Sequence, residues 1–296
     1  MTDRRSTREI MLWVAAALMP ALLTSGYWFG WQVLVQATVA VIAALVTELV
    51  CLRLRGASLV ALGDGSALVT ALLIAMALPP ATPPGVTVGA AVFAIGLGKH
   101  AFGGLGQNLF NPAMVGYAMV LVSFPAALAT WPLPPDAVSG ATLLDVLKHD
   151  HGRTLAELRL DPVAGGIGAW GFEWIAAASL AGGLLLVAKG LVAWRVSIGI
   201  LVTCSLLAMA MHDSGSTNSL GTPVQQWFSG GLILAAFFVA TDPVTHPRSP
   251  TAQWLFALVI GSTIMAIRGY GNYPDGIAFG ILLGNACAPW LDRRWP

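Results

Sequence analysis

Apolar residues run along this chain in long stretches separated by short polar breaks. Stretches that approach the roughly 30 Å hydrocarbon core of a bilayer fall at about ten places: 10–28, 31–52, 66–80, 85–99, 112–130, 172–189, 194–211, 228–242, 252–268 and 275–292. The third and eighth are short. Each is preceded by semi-apolar residues, 57–63 and 219–227, that can dip into a membrane without crossing it. In hydrocarbon each backbone N–H and C=O must find a partner within the chain, so the segments are expected to be helices. The pattern predicts an all-α polytopic membrane protein with about ten transmembrane helices.

The polar breaks carry the orientation. With the N-terminus inside, the inner side holds Arg4, Arg5, Arg8, Arg53, Arg55, Lys99, Lys189, Arg195, Arg248, Arg293 and Arg294. The outer side holds Lys148, Arg153, Arg159 and Arg268. Eleven of the 15 basic residues are then inside, a positive-inside bias. Both termini are expected in the cytoplasm, and the long connection 131–171 outside. Loops of that length in compact proteins are usually functional or disordered.

Two segment pairs match at nearly one offset. Gly65-Ser66-Ala67-Leu68 through Leu78-Pro79-Pro80 resembles Ser229-Gly230-Gly231-Leu232 through Thr241-Asp242-Pro243, 163 to 164 residues on. Asn111-Pro112-Ala113-Met114 through Phe124-Pro125 resembles Tyr273-Pro274-Asp275-Gly276 through Ala288-Pro289, 162 to 164 residues on. Five spans per half is an odd number, so the second half inserts upside down. Residues 1–130 and 172–296 are thus expected to form two inverted five-helix repeats joined by the outer loop 131–171. Such repeats place sites at their interface, on broken helices.

Composition agrees. The chain of 296 residues is 56% hydrophobic and 10% charged, against about 25% charged in soluble domains. Arg4, Arg5 and Arg8 precede an apolar run too long for a signal h-region, so no cleavable leader is expected. The net charge of +1 gives no basic field for nucleic acid. Cys51, Cys204 and Cys287 are scattered singly and too few for a four-ligand iron–sulfur site. His100, His149, His151, His212 and His246 form no metal-type pair, and no metal site is expected. The Trp residues gather near span ends as an aromatic belt. No dinucleotide fingerprint or P-loop is present.

Candidate chemistry sits beside the broken spans. Asp64, Asn108, Asn111, Asp242 and Asp275 recur at repeat-related positions. Each suits helix capping, and acids or amides at membrane depth also suit ion binding. Asp64, Asp242 and Asp275 form the candidate ion pathway. Gly103-Gly104-Leu105-Gly106 precedes Asn108 and Asn111, and a glycine-rich helix entry suits an anion such as a flavin phosphate. Glu48 is the most embedded acid, with Arg53 and Arg55 as expected partners. In the outer loop, Asp136 precedes Ser139-Gly140-Ala141-Thr142. Read plainly, this is a turn followed by a helix cap at Thr142.

The tetrapeptide also resembles the acceptor site of flavin transferases, which join FMN to the Thr hydroxyl through a phosphoester. Further segments are similar to one family throughout: Asp64-Gly65-Ser66-Ala67, Phe102-Gly103-Gly104-Leu105-Gly106, Phe110-Asn111-Pro112-Ala113-Met114-Val115-Gly116, Phe238-Val239-Ala240-Thr241-Asp242-Pro243 and Tyr273-Pro274-Asp275-Gly276. That family comprises the D-type component of the Rnf (Rsx) electron-transport complex and the B-type component of the sodium-pumping NADH:quinone oxidoreductase. The short N-terminus favours the Rnf type.

The resemblance implies covalent FMN on Thr142, with Ser139, Gly140, Ala141 and Asp136 forming the attachment motif. It implies a complex in the bacterial inner membrane that passes electrons between NADH and ferredoxin and moves Na⁺ or H⁺. Partner subunits of the A, B, C, E and G types would hold the clusters, the nucleotide site and another covalent flavin. A flavin transferase would mature the chain. Room remains for a second, noncovalent flavin, which no motif assigns. Two departures stand out. Leu143 replaces a frequent Pro, and the short connection after Thr142 leaves shielding of the ring to partners. The rival reading is a five-plus-five inverted-repeat transporter or channel without flavin.

Overall fold

The computed structural model describes residues 6–132, 142–150, 152–213, 216–217, 219–273 and 275–296. Among these residues the chain is helical, and its one β feature is an isolated bridge between Ala164 and Ala169. The first half holds α1 (Thr7–Phe29), α2 (Gln32–Leu54), α3 (Ser66–Ala77), α4 (Pro84–Phe102) and α5 (Pro112–Ser123). The loop contributes α6 (Leu143–His149). The second half holds α7 (Phe172–Ala188), α8 (Trp194–Ala210), α9 (Pro223–Phe228), α10, α11 (Pro250–Tyr270) and α12 (Ile277–Arg294). α10 starts as Leu232–Leu234 and widens into a π-helical turn over Ala235–Val239.

Four helices, α1, α2, α4 and α11, are long and apolar enough to cross a membrane. α3, α5, α7 and α8 are shorter apolar helices. The chain is a multi-pass, all-α membrane protein. Several helix starts follow from side chains. Ser6 accepts from Glu9 N at 3.2 Å, Asn111 from Met114 N at 3.2 Å and Ser249 from Ala252 N at 3.2 Å. Pro112 and Pro250 stand at the first turn, where a missing N–H costs nothing. α9 opens with a capping box between Thr222 and Gln225.

Two spans are shorter than the apolar runs suggest. The run 112–130 breaks at Phe124, because Pro125 cannot continue the helix and starts a separate turn, Pro125–Leu128. The run 228–242 is helical only over Leu232–Val239, with Gly230 and Gly231 before it. The two pre-span segments are ordered: residues Leu59–Gly63 form a 3₁₀ turn and Pro223–Phe228 form α9.

α2 packs on α3 and α4, and α8 packs on α11. Between the halves, α1 lies against α7 and α5 against α12. Gly182 makes the first of these crossings, because a Cβ there would strike the carbonyl of Ala17. Gly116 does the same for α5, beside the carbonyl of Ala90 on α4. One apolar core joins both halves, and a smaller one sits under the loop, built from Leu143, Val146, Leu147, Leu155, Leu158, Val163 and Ala169.

Candidate functional site

Thr142 stands at the start of α6 with extended backbone, φ −76° and ψ 163°, and its side chain makes no cap hydrogen bond. The helix it precedes is held elsewhere. Leu143, Val146 and Leu147 face the small core. Lys148 donates to the carbonyls of Ile267 and Tyr273, at 2.8 and 2.7 Å. These bonds tie α6 to the turn between α11 and α12. Burial pushes the Lys148 amine below its usual value, while Asp145 and Asp275 oppose that shift.

Thr142 lines a cavity of about 380 Å³, within the size range of small-molecule sites. Phe29, Trp131 and Phe172 form an aromatic wall, the two Phe rings and the Trp131–Phe172 pair each lying 5.0 Å apart. Met114, Tyr117 and Leu121 come from α5, and Ser229, Gly230, Asn272 and Asp275 supply the polar edge. Ser229 is 1% exposed, and its Oγ has no hydrogen-bond partner among the described residues.

Behind Asp275 lies a buried cation. Arg268, 2% exposed, contacts Asp275 through Nε at 3.2 Å and Nη2 at 2.9 Å. Its Nη1 donates to the carbonyl and side-chain oxygen of Gln226, at 2.8 and 2.7 Å. A Cβ on Gly230 would sit 3.0 Å from Asp275 Oδ2 and 3.4 Å from Arg268 Nη2, so the start of α10 passes directly over this pair.

The other half has a counterpart. Lys99, also 2% exposed, ends the π turn of α4. It donates to Glu48 Oε1 and Ser66 Oγ, both at 2.7 Å. Ser66 in turn donates to Asp64 Oδ1 from N at 2.7 Å and Oγ at 2.5 Å. His100 Nε2 is 3.2 Å from the same Glu48 oxygen, in poor hydrogen-bond geometry. Glu48 therefore pairs with Lys99 rather than Arg53 or Arg55. Arg55 is engaged instead with His100 Nδ1 at 3.2 Å and the Gly103 carbonyl at 2.8 Å, whereas α4 brings Lys99 alongside Glu48. Lys99 lines a second, smaller cavity of about 70 Å³ with Ser66, Asn108, Asn111, Thr241 and Asp242. Leu73 lines both cavities.

The expected site residues therefore divide. Asp136, Ser139, Gly140 and Ala141 lie outside the described residues. Thr142 and Asp275 share the larger cavity. Asn108 and Asn111 do not line it. Asn108 donates to the Phe110 carbonyl and Asn111 to that of Val239, both beside the smaller cavity. Asp242 is there too, and Asp64 reaches Lys99 through Ser66. The three acids are not one cluster. The chain also supplies walls of its own around Thr142. Sequence reasoning missed Lys99, Arg268, Lys148 and Ser229 as site residues. Lys99 and Arg268 end apolar runs, where a cation serves equally as a topology marker. The signal that distinguishes them is a cation at corresponding ends of the fourth span in each half.

A profile of the NQR2, RnfD, RnfE family matches residues 1–295. The chain belongs to that family. Relatives named as the D component of an ion-translocating oxidoreductase complex are similar across their length. The one from Pseudomonas aeruginosa strain UCBPP-PA14 is 41% identical, covering 97% of this chain and 89% of the relative. That from Shewanella amazonensis is 41% identical, covering 97% and 91%. That from Aeromonas hydrophila is 37% identical, covering 98% and 93%.

The fit of a flavin, which the family resemblance implies, can be judged from the cavity. Aromatic and aliphatic walls suit a flat ring, and the Thr142 hydroxyl is not used for capping. Asp145 and Asp275 are a poor setting for a phosphoester anion taken alone. Arg268 and Lys148 supply counter-charge next to them. The residues fit the group.

Proposed function

We propose that this chain is the membrane subunit of an ion-translocating oxidoreductase complex and carries FMN on Thr142. The observation that supports it most is a Thr hydroxyl free of capping at the edge of a roomy, aromatic-walled cavity. When bound, FMN supplies reversible uptake of electrons. The chain's own part is to hold the attachment residue still, through the α6 core and the Lys148 bonds. It also keeps bulk water from the ring with Phe29, Trp131 and Phe172, which strengthens every nearby electrostatic interaction.

On this reading the complex passes electrons between NADH and ferredoxin in a bacterial inner membrane, with subunits of the A, B, C, E and G types as partners. A flavin transferase loads Thr142. Both termini are cytoplasmic and the Thr142 loop is periplasmic. Residues 1–130 and 172–296 are the two inverted halves. The packing of α1 on α7 and α5 on α12, and the matching stations of Lys99 and Arg268, support that division. The Na⁺ or H⁺ path is assigned to Asp64, Asp242 and Asp275. Asp275 is the weakest candidate, because Arg268 already neutralises it. The smaller cavity, with Lys99 and Asn108, is where a second, noncovalent flavin would be sought.

The test is peptide mass spectrometry of the chain purified from a host with the transferase. A mass increase matching FMN on the Thr142 peptide, absent from Thr142→Ala, supports the reading. An unmodified Thr142, with the transferase active on a control substrate, overturns it in favour of a flavin-free inverted-repeat transporter.

A further inference from the structure

We propose that the Arg268–Asp275 pair sets the reduction potential of a flavin held at Thr142, each partner pulling it in the opposite direction. The inference rests on the reading that Thr142 carries FMN. Asp275 lines the same cavity as Thr142, while Arg268 stands behind it, almost fully buried and bidentate on its carboxylate. Electron uptake brings negative charge into the cavity. A carboxylate on the wall opposes that charge, and a cation behind it favours it. Their side chains are 24% and 2% exposed, so neither is screened as a charge on the open surface would be.

The placement is fixed rather than incidental. Arg268 is held by two oxygens of Gln226 on the side away from Asp275. The turn carrying Asp275 is anchored by Lys148 at the carbonyls of Ile267 and Tyr273. Gly230 lets the backbone at the start of α10 pass over the pair. Both residues therefore act through field and position, and they are positioning residues.

The other acid on the cavity wall provides a control. Asp145 is 37% exposed at its side chain and lies 3.2 Å from His149 Nδ1. Asp275 is 24% exposed and fixed by Arg268, so water and salt screen Asp145 more and its charge counts for less.

The experiment is a potentiometric titration of the purified complex. The Thr142 flavin is identified as the component lost in Thr142→Ala. Asp275→Asn leaves Arg268 unopposed and is expected to raise the midpoint potential. Arg268→Gln leaves Asp275 unopposed and is expected to lower it. The double variant is expected near the wild-type value, and Asp145→Asn is expected to shift less than Asp275→Asn. A merely structural pair would give single-variant shifts of the same sign, or none. Either result overturns the inference while FMN on Thr142 stands. If Arg268→Gln fails to fold, Asp275→Asn alone decides: an unchanged or lowered potential overturns the inference. A wild-type Thr142 peptide without FMN overturns the functional reading and this inference together.

Discussion

Replacing Lys99 by Met tests the electrostatic reading of the first half most directly. The Lys99 and Glu48 side chains are 3% and 1% exposed and meet at 2.7 Å. Glu48 Oε2 has no hydrogen-bond partner among the described residues, so the carboxylate depends on Lys99 for its stabilisation. Removing one member of a buried pair typically costs about 3–5 kcal/mol, because the remaining charge stays out of water. At roughly 2–4 °C per kcal/mol for a large domain, Lys99→Met should melt about 6–20 °C lower than the wild type. Glu48→Leu should behave alike. The double variant should recover most of the loss, because two apolar side chains can replace a buried pair at little cost. The assay is thermal unfolding in detergent in a background lacking the half-buried Cys51 and Cys287, followed with a thiol-reactive dye that reports exposure of buried Cys204. Singles that melt with the wild type, or a double variant that loses the sum of both, would refute the reasoning.

Three further outcomes follow from packing, charge and orientation. Gly182→Leu should force α1 off α7, with a loss of at least about 1–3 kcal/mol from overpacking, read as a lower melting temperature and loss of the monodisperse peak on size exclusion. The Arg153 guanidinium, 2.6 Å from Asp150 and 2.7 Å from Asp161, holds the Asp150 carboxyl below its usual value chiefly through its side-chain hydrogen bond. That contribution is present above the unfolded value of about 3.9 and is lost as pH falls through the lower folded value. Amide protection factors in residues 152–171, corrected for the intrinsic pH dependence of exchange, should therefore fall only in strong acid, and a fall that begins near pH 6 would contradict the assignment. In a background lacking Cys51, Cys204 and Cys287, Leu160→Cys (86% exposed) should be labelled by an impermeant thiol reagent from the periplasmic side, and Leu54→Cys (83% exposed) only after the cytoplasmic side is opened. The reverse pattern would invert the proposed topology.

How much of this was legible in the chain depends on how local the cause is. The start of α5 was readable because Asn111 caps it from within three residues. Ser6 and Ser249 act over the same distance but were not among the expected caps. The shortness of the third and eighth spans showed in the length of their apolar runs and in Gly65, Gly230 and Gly231 before them. The end of α5 was missed by several residues, since apolarity continues past Phe124 while Pro125 stops the helix. Thr142 could be singled out from its tetrapeptide, but not the cavity it faces. Its walls come from α1, α3, α5, α7, α10 and α12, and no sequence window contains them. Asn108 and Asn111 looked equivalent to residues near Asp275 because they are repeat-related. Position within a repeat does not say which cavity a residue faces. The partner of Glu48 was misread for the same reason: 51 residues separate it from Lys99, and only the packing of α2 on α4 closes that gap.

Among the described residues, Leu73 is the one side chain that borders both cavities. Leu73 is 4% exposed and sits in the middle of α3, so its packing is what separates the two spaces where their linings meet. Shortening this one side chain is the smallest change that would join them, and the joined space would run from Thr142 to Lys99.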